Sequence, residues 1–188
     1  MATDRSGVRD ELVAVLDSRR GTDSMEHIIG HGVVEVFGED GALKQSVPFT
    51  NLVTQYGDQF YGERAAGIGS HAVPTGMQLG TGGATAAAKT GAGAAIVTLV
   101  AASLVALDTA PASSLQGSSR RIQYKTTWAA GTATATGINE VVLTNQAVGT
   151  QTAAPAGATL SRAVLGTPVN KTATDSLAIT WNHDLLGA

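Results

Sequence analysis

The chain has 188 residues, enough for one domain with a real core and a small appendage. Its apolar fraction is 43% but its aromatic fraction only 4%, so the apolar content is dominated by small residues; with 23 Gly and 14% charged residues, this favours a β-rich fold with long loops. A net charge of −3 offers no field for nucleic acid, and the absence of cysteine excludes disulfide and thiolate chemistry.

The first segment is charged throughout and lacks an apolar signal core. A short helix is predicted from about Val8 to Arg19, because Val8, Leu12, Val15 and Leu16 fall on one narrow stripe. Arg19 and Arg20 in its last turn, with Gly21 after them, suit a helix end. So short a helix needs a surface to lie on. Residues 1–24 are therefore predicted to form an arm and linker, and residues 25–188 the domain body.

A hairpin is predicted next, from His31–Phe37 and Ala42–Phe49 around Gly38-Glu39-Asp40-Gly41. Pro48 belongs at an edge or a bulge, because it cannot donate to a ladder. A second helix is predicted from Gln55 to Ala66, with Thr54 as its cap and Asp58 in its first turn. Thr75–Leu79 reads as a short strand. From Ala84 to Leu115 the sequence is low in complexity, with a strand or a helix near Ile96–Leu104 and an exposed loop at Ala110–Ser119. Ala84–Leu107 is broken by Lys89, Gly91 and Gly93 and is a poor membrane span.

The last third carries the cleanest pattern. Ile122, Tyr124 and Trp128 alternate with Arg121, Gln123 and Lys125, and Ile138–Thr144 is the next strand. Leu160–Leu165 and Ser176–Trp181 close the chain as a pair of strands joined by a turn-rich connector, Gly166–Asp175. Leu177, Ile179 and Trp181 share one face. With Ile122, Tyr124 and Trp128, they are expected to form two facing halves of one core. Residues 129–137 and 145–157 make long polar loops, which often meet a partner.

Several stretches imitate chemistry. Gly83–Thr90 has the outline of a phosphate loop, but Thr90-Gly91-Ala92-Gly93 is a poor helix start and no strand ending in Asp follows. Gly67–Ala72 follows a helix, where a dinucleotide fingerprint follows a strand, so Gly67 is better placed as a helix cap. His27 and His31 are spaced as helical metal ligands, but Gly30 opposes a helix and no third ligand is evident. His183-Asp184 suggests a base and its orienter, yet neighbours on a strand point to opposite faces. Trp128 and Trp181 have the phase of core residues, which argues against a sugar platform. No catalytic residue, metal site or cofactor is predicted.

The order of short motifs resembles virion structural proteins of tailed bacteriophages. The motifs are Leu79-Gly80-Thr81-Gly82, Tyr124 to Trp128, Ile138 to Asn145, Leu160 to Val164, Pro168 to Lys171, and Thr174 to Trp181. The resemblance implies a mainly β, antiparallel β-sandwich subunit without enzymatic activity. It implies a place in the virion, assembled in the bacterial host cytoplasm, as a capsid decoration or minor capsid protein. A tail, baseplate or fibre part with a host-surface role is the alternative. The implied partners are the major capsid protein or other virion proteins and further copies of this chain, with neither nucleic acid nor membrane. The residues assigned to such an interface are Val8, Leu12, Val15, Leu16, Arg19, Arg20, Arg120 and Arg121.

Overall fold

The computed structural model describes residues 28–69, 71–117 and 119–185. The predicted arm helix, with Val8, Leu12, Val15, Leu16, Arg19 and Arg20, lies outside the described residues, as does His27.

The body opens with a hairpin, β1 (Ile29–Phe37) and β2 (Leu43–Val53), as its Asp40-Gly41 turn requires. Gly41 takes a φ of 76°, and Asp40 Oδ1 accepts the Ala42 N–H at 3.0 Å. Helix α1 (Gln55–Ala66) follows. Thr54 caps it by accepting the Gly57 N–H, and Gly67 ends it with a φ of 67°. The remaining strands are β3 (Gly76–Gly80), β4 (Val105–Ala106), β5 (Ala112–Gln116), β6 (Ser119–Trp128), β7 (Ala135–Thr144), β8 (Thr159–Lys171) and β9 (Ser176–Leu185).

All nine strands pair antiparallel in one sheet, in the order β4-β3-β7-β8-β2-β1-β9-β6-β5. The fold is mainly β, as the composition predicts. The sheet is continuous and curled, a half-barrel, where two stacked sheets were expected. The curl brings its two ends to one core: Met77 and Leu79 of β3 join the same buried cluster as Tyr124 and Trp128 of β6. After β4, the Leu107 N–H bonds to the Thr75 carbonyl and the Asp108 N–H to the Lys125 carbonyl. That short stretch therefore bridges β6 and the residue just before β3. Each fully buried Leu or Ile on this concave face, such as Leu177 or Ile179, contributes about 1.5–3 kcal/mol.

Three expectations need correction. First, β8 runs on to Lys171, so the connector to β9 is only Thr172–Asp175, and β8 does not pair with β9. The β1–β2 hairpin is inserted between them. Second, β6 and β9 are neighbours in one sheet, with Tyr124 opposite Trp181 and Trp128 opposite Leu177. Their apolar rows lie side by side and do not face each other. Third, Ala110–Ser119 contains β5, while Ile96–Leu104 is neither helix nor strand apart from one bridge between Gly80 and Leu99.

Two glycines shape the inner face. Gly32 lies between Phe49 and Trp181 across three strands, and Gly30 lies between Asn51 and His183. A Cβ at Gly32 would strike the Phe49 ring, and one at Gly30 the Asn51 side chain. Without those carbons, the Phe49 and Trp181 rings meet over β1 at 5.0 Å, edge to face.

Candidate functional site

Helix α1 covers one mouth of the half-barrel and is weakly amphipathic; Phe60 and Gly57 are its buried residues. Polar anchors and close backbone contact therefore hold it. The Thr54 hydroxyl meets the Thr159 and Leu160 carbonyls, and Gly57 sits so near the Leu160 carbonyl that a Cβ there would collide.

The principal anchor is Tyr61, which reaches a buried cluster on the concave face. His183 is fully buried at its centre. Its Nδ1 lies 2.6 Å from the Tyr61 hydroxyl, which lies 3.0 Å from the Tyr124 hydroxyl. Its Nε2 faces Ser161 Oγ at 3.0 Å, Trp181 Nε1 at 3.1 Å and Asn51 Nδ2 at 3.4 Å. The indole N–H can only donate, so Nε2 must accept and the neutral ring carries its proton on Nδ1. That proton goes to Tyr61. Burial, first of all, lowers the His183 pKa to about 3, with His31 acting in the same sense and Asp184 opposing. Burial likewise pushes the Tyr61 and Tyr124 hydroxyls up.

Ser161 beside His183 has the distance of a nucleophile and its base. However, both residues are sealed from solvent, and the Nε2 lone pair is already shared with an indole N–H. A ring this reluctant to protonate is a poor base. The cluster is a set of tie bars between α1, β2, β6, β8 and β9. Asp184 points to the other face, as strand alternation predicts, and takes Arg121 in two bonds of 2.7 and 2.9 Å. The Arg121 hydrogen bonds hold the Asp184 carboxyl below its ordinary range. Arg121 is thus committed within the chain, while Arg120 on β6 is exposed.

On the convex face of β7 and β8 lies a buried ion pair, Glu140 with Arg162, at 2.7 and 3.2 Å. Neither side chain is exposed. Glu140 also accepts N–H groups from Gly82, Val97 and Thr98. Arg162 donates to the Thr85 and Gly82 carbonyls. The pair therefore fastens the low-complexity segment over the back of the sheet. A small second core of Ile96, Val142 and Ala154 fills beneath it. The stretch that imitates a phosphate loop is part of this cover. It leads into a single 3₁₀ turn at Gly91–Ala94, and Lys89 pairs with Asp58 of α1 at 2.7 Å.

A third polar lock closes the other mouth. Lys171 is buried and its Nζ donates to the Ala129 and Asp175 carbonyls, tying the β6–β7 and β8–β9 crossovers together. Burial lowers the Lys171 pKa. Asp175 is held at about 2 by the Thr172 hydroxyl and backbone N–H and then by Lys44. Lys44 lies 3.0 Å away.

An open cleft of about 270 Å³ lies between α1 and the turns near Lys89 and Gly157, lined by Gln55, Tyr56 and Gln59 among others. Among the described residues, no group of three His, Asp or Glu side chains converges as metal ligands. No helix there is long and apolar enough to cross a membrane.

Sequence reasoning missed Glu140, Arg162 and Ser161 as buried residues. It set His183 and Asp184 on opposite faces of a strand without burying either, although the Leu177-Ile179-Trp181 phase points the His183 side chain inward. Comparison with family models, curated proteins and solved structures finds no match to any of them.

Proposed function

We propose that this chain is a non-enzymatic structural subunit of a bacteriophage particle, binding the shell as a decoration or minor capsid protein through many modest contacts. One observation carries the reading. The buried charged residues within the motifs resembling virion proteins are spent on holding the fold. Glu140 and Arg162 fasten the long segment, and Lys171 and Asp175 lock the crossovers. The resemblance then concerns architecture, and the finer reading as an antiparallel β-sandwich belongs with it. Such a framework leaves the segment before β1, Arg120 and the 145–155 connection for contacts, and a repeating lattice turns weak contacts into firm attachment.

The test is quantitative mass spectrometry and electron microscopy of particles from cells producing this chain. Decoration predicts copies on the order of hundreds per particle, spread over the shell. A few tens at one vertex or on the tail would move the assignment to a tail, baseplate or fibre part. Absence from particles overturns the proposal. Deleting Met1–Arg20 is expected to abolish incorporation and leave a folded body. Normal incorporation of the truncated chain would refute the arm contact.

A further inference from the structure

Strand β5 ends the sheet. It pairs with β6 alone, from Ala112 opposite Gln123 to Gln116 opposite Ser119. Its five residues, Ala-Ser-Ser-Leu-Gln, are all exposed, and Leu115 is 65% exposed. Sheets guard open edges with lysine, proline, bulges or very short strands. This protein does so elsewhere. β4 is two residues long, and the chain after it bonds to Thr75, just before β3, and to Lys125 of β6. Where β2 parts from β8, beyond Asn51 and Ala163, both strands carry a proline, Pro48 and Pro168. β5 has none of these guards within Ala112–Gln116; its nearest proline, Pro111, stands just before the strand. The strand itself has no charge, no proline and no break in register.

The strand also fits itself. An edge joined to a second copy across a two-fold axis must pair antiparallel. Centred on Ser114, that pairing sets Ser114 against Ser114, Ser113 against Leu115, and Ala112 against Gln116. No like charges meet. The two Leu115 side chains become diagonal neighbours on one face, within reach of each other. We propose that β5 is a self-association edge, through which two copies join their sheets antiparallel about Ser114. A five-residue ladder is far smaller than the roughly 1,000 Å² of a stable interface, so the dimer is weak. The proposal concerns purified chain and stands independently of any particle.

The test exploits the absence of cysteine. In the proposed pairing, Ser114→Cys brings two thiols to opposed positions about 4.5–5.5 Å apart between Cα atoms, inside the window for a disulfide. Oxidised full-length S114C is expected to form a reducible covalent dimer roughly tenfold faster than A112C. Ala112 lies about 14 Å from its own copy in this register, whereas an equimolar mixture of A112C and Q116C should cross-link. Ser114→Lys should shift the wild-type dimer towards monomer in sedimentation at matched concentration. Circular dichroism and thermal unfolding establish that each variant is folded. Equal rates for S114C and A112C overturn the register. Wild-type chain that stays monomeric at every concentration overturns self-association and leaves the edge to a strand from another protein.

Discussion

Two polar clusters lie buried on opposite faces of β8, and consecutive residues belong to them. Ser161 joins the neutral set around His183 on the concave face, and Arg162 joins Glu140 on the convex face. In the first, the choice of tautomer satisfies both ring nitrogens of His183, while the buried Oδ1 of Asn51 keeps no partner. Trp181 and Ser161 donate to one ring nitrogen, and the other donates to Tyr61. The second is satisfied by charge and by backbone N–H groups from a segment with no regular structure of its own. One cluster holds a helix and the other a loop. The difference predicts how each fails: the ionic one when a partner is removed, the neutral one when a proton is added.

Removing the Glu140 carboxylate should have the largest effect. Glu140→Ala leaves Arg162 charged, buried and unpaired, at an expected cost of about 3–5 kcal/mol in urea unfolding. It should also open residues 81–98 to proteolysis. Replacing both partners with apolar residues, E140L with R162M, should recover only part of the loss, because the N–H groups of Gly82, Val97 and Thr98 stay unsatisfied. A single variant within 1 kcal/mol of wild type, by the order expected for surface pairs, would show that the pair holds nothing.

Acid should act on the neutral cluster next. The His183 pKa is near 3 in the fold against about 6.5 unfolded, so the unfolded chain binds the extra proton between those values. Its contribution is complete above pH 6.5. It falls by roughly 1.4 kcal/mol per pH unit below that and levels off near pH 3. Asp175 adds a separate loss of the same sign as pH falls from its ordinary value of 3.8 towards 2. Unfolding curves from pH 7 to pH 4 should show the slope in wild type and a flat profile in His183→Gln. Equal slopes in both would remove His183 as the cause.

The smallest expected effect is at the helix anchor. Tyr61→Phe keeps the ring and removes the acceptor for His183 Nδ1, costing about 1 kcal/mol. Hydrogen exchange in α1 should rise while exchange in β7 and β8 stays unchanged. A uniform rise would mean that α1 and the sheet open together.

The sequence made local structure legible wherever a local rule applied. Thr54 and Gly67 bound α1, Asp40-Gly41 turns the hairpin, and period two placed Tyr124, Trp128 and Trp181 inside. Pairing partners have no such local signal. Alternation in β8 and β9 is the same whether they are neighbours or separated by β1 and β2, so the inserted hairpin was not visible. β5 escaped notice because an exposed Ala-Ser-Ser-Leu-Gln strand has no buried face to create a pattern. Glu140 and Arg162 point away from the main core, and only the fold shows that a glycine- and alanine-rich segment covers them. His183 was within reach, since it continues the inward row two residues beyond Trp181.

The inserted hairpin also bears on synthesis. Of the described strands β1 is made first, yet its neighbour β9 is made last, and Ile29 pairs with Asp184. At cellular translation rates, on the order of ten to thirty seconds separate the two. Throughout that interval β1 and β2 have only each other, an arrangement marginal in water. The nascent hairpin therefore waits for β9 with its flanks open, and the whole sheet becomes cooperative only after β9 has left the ribosome. During this wait those flanks are open to pairing with other strands in the cell.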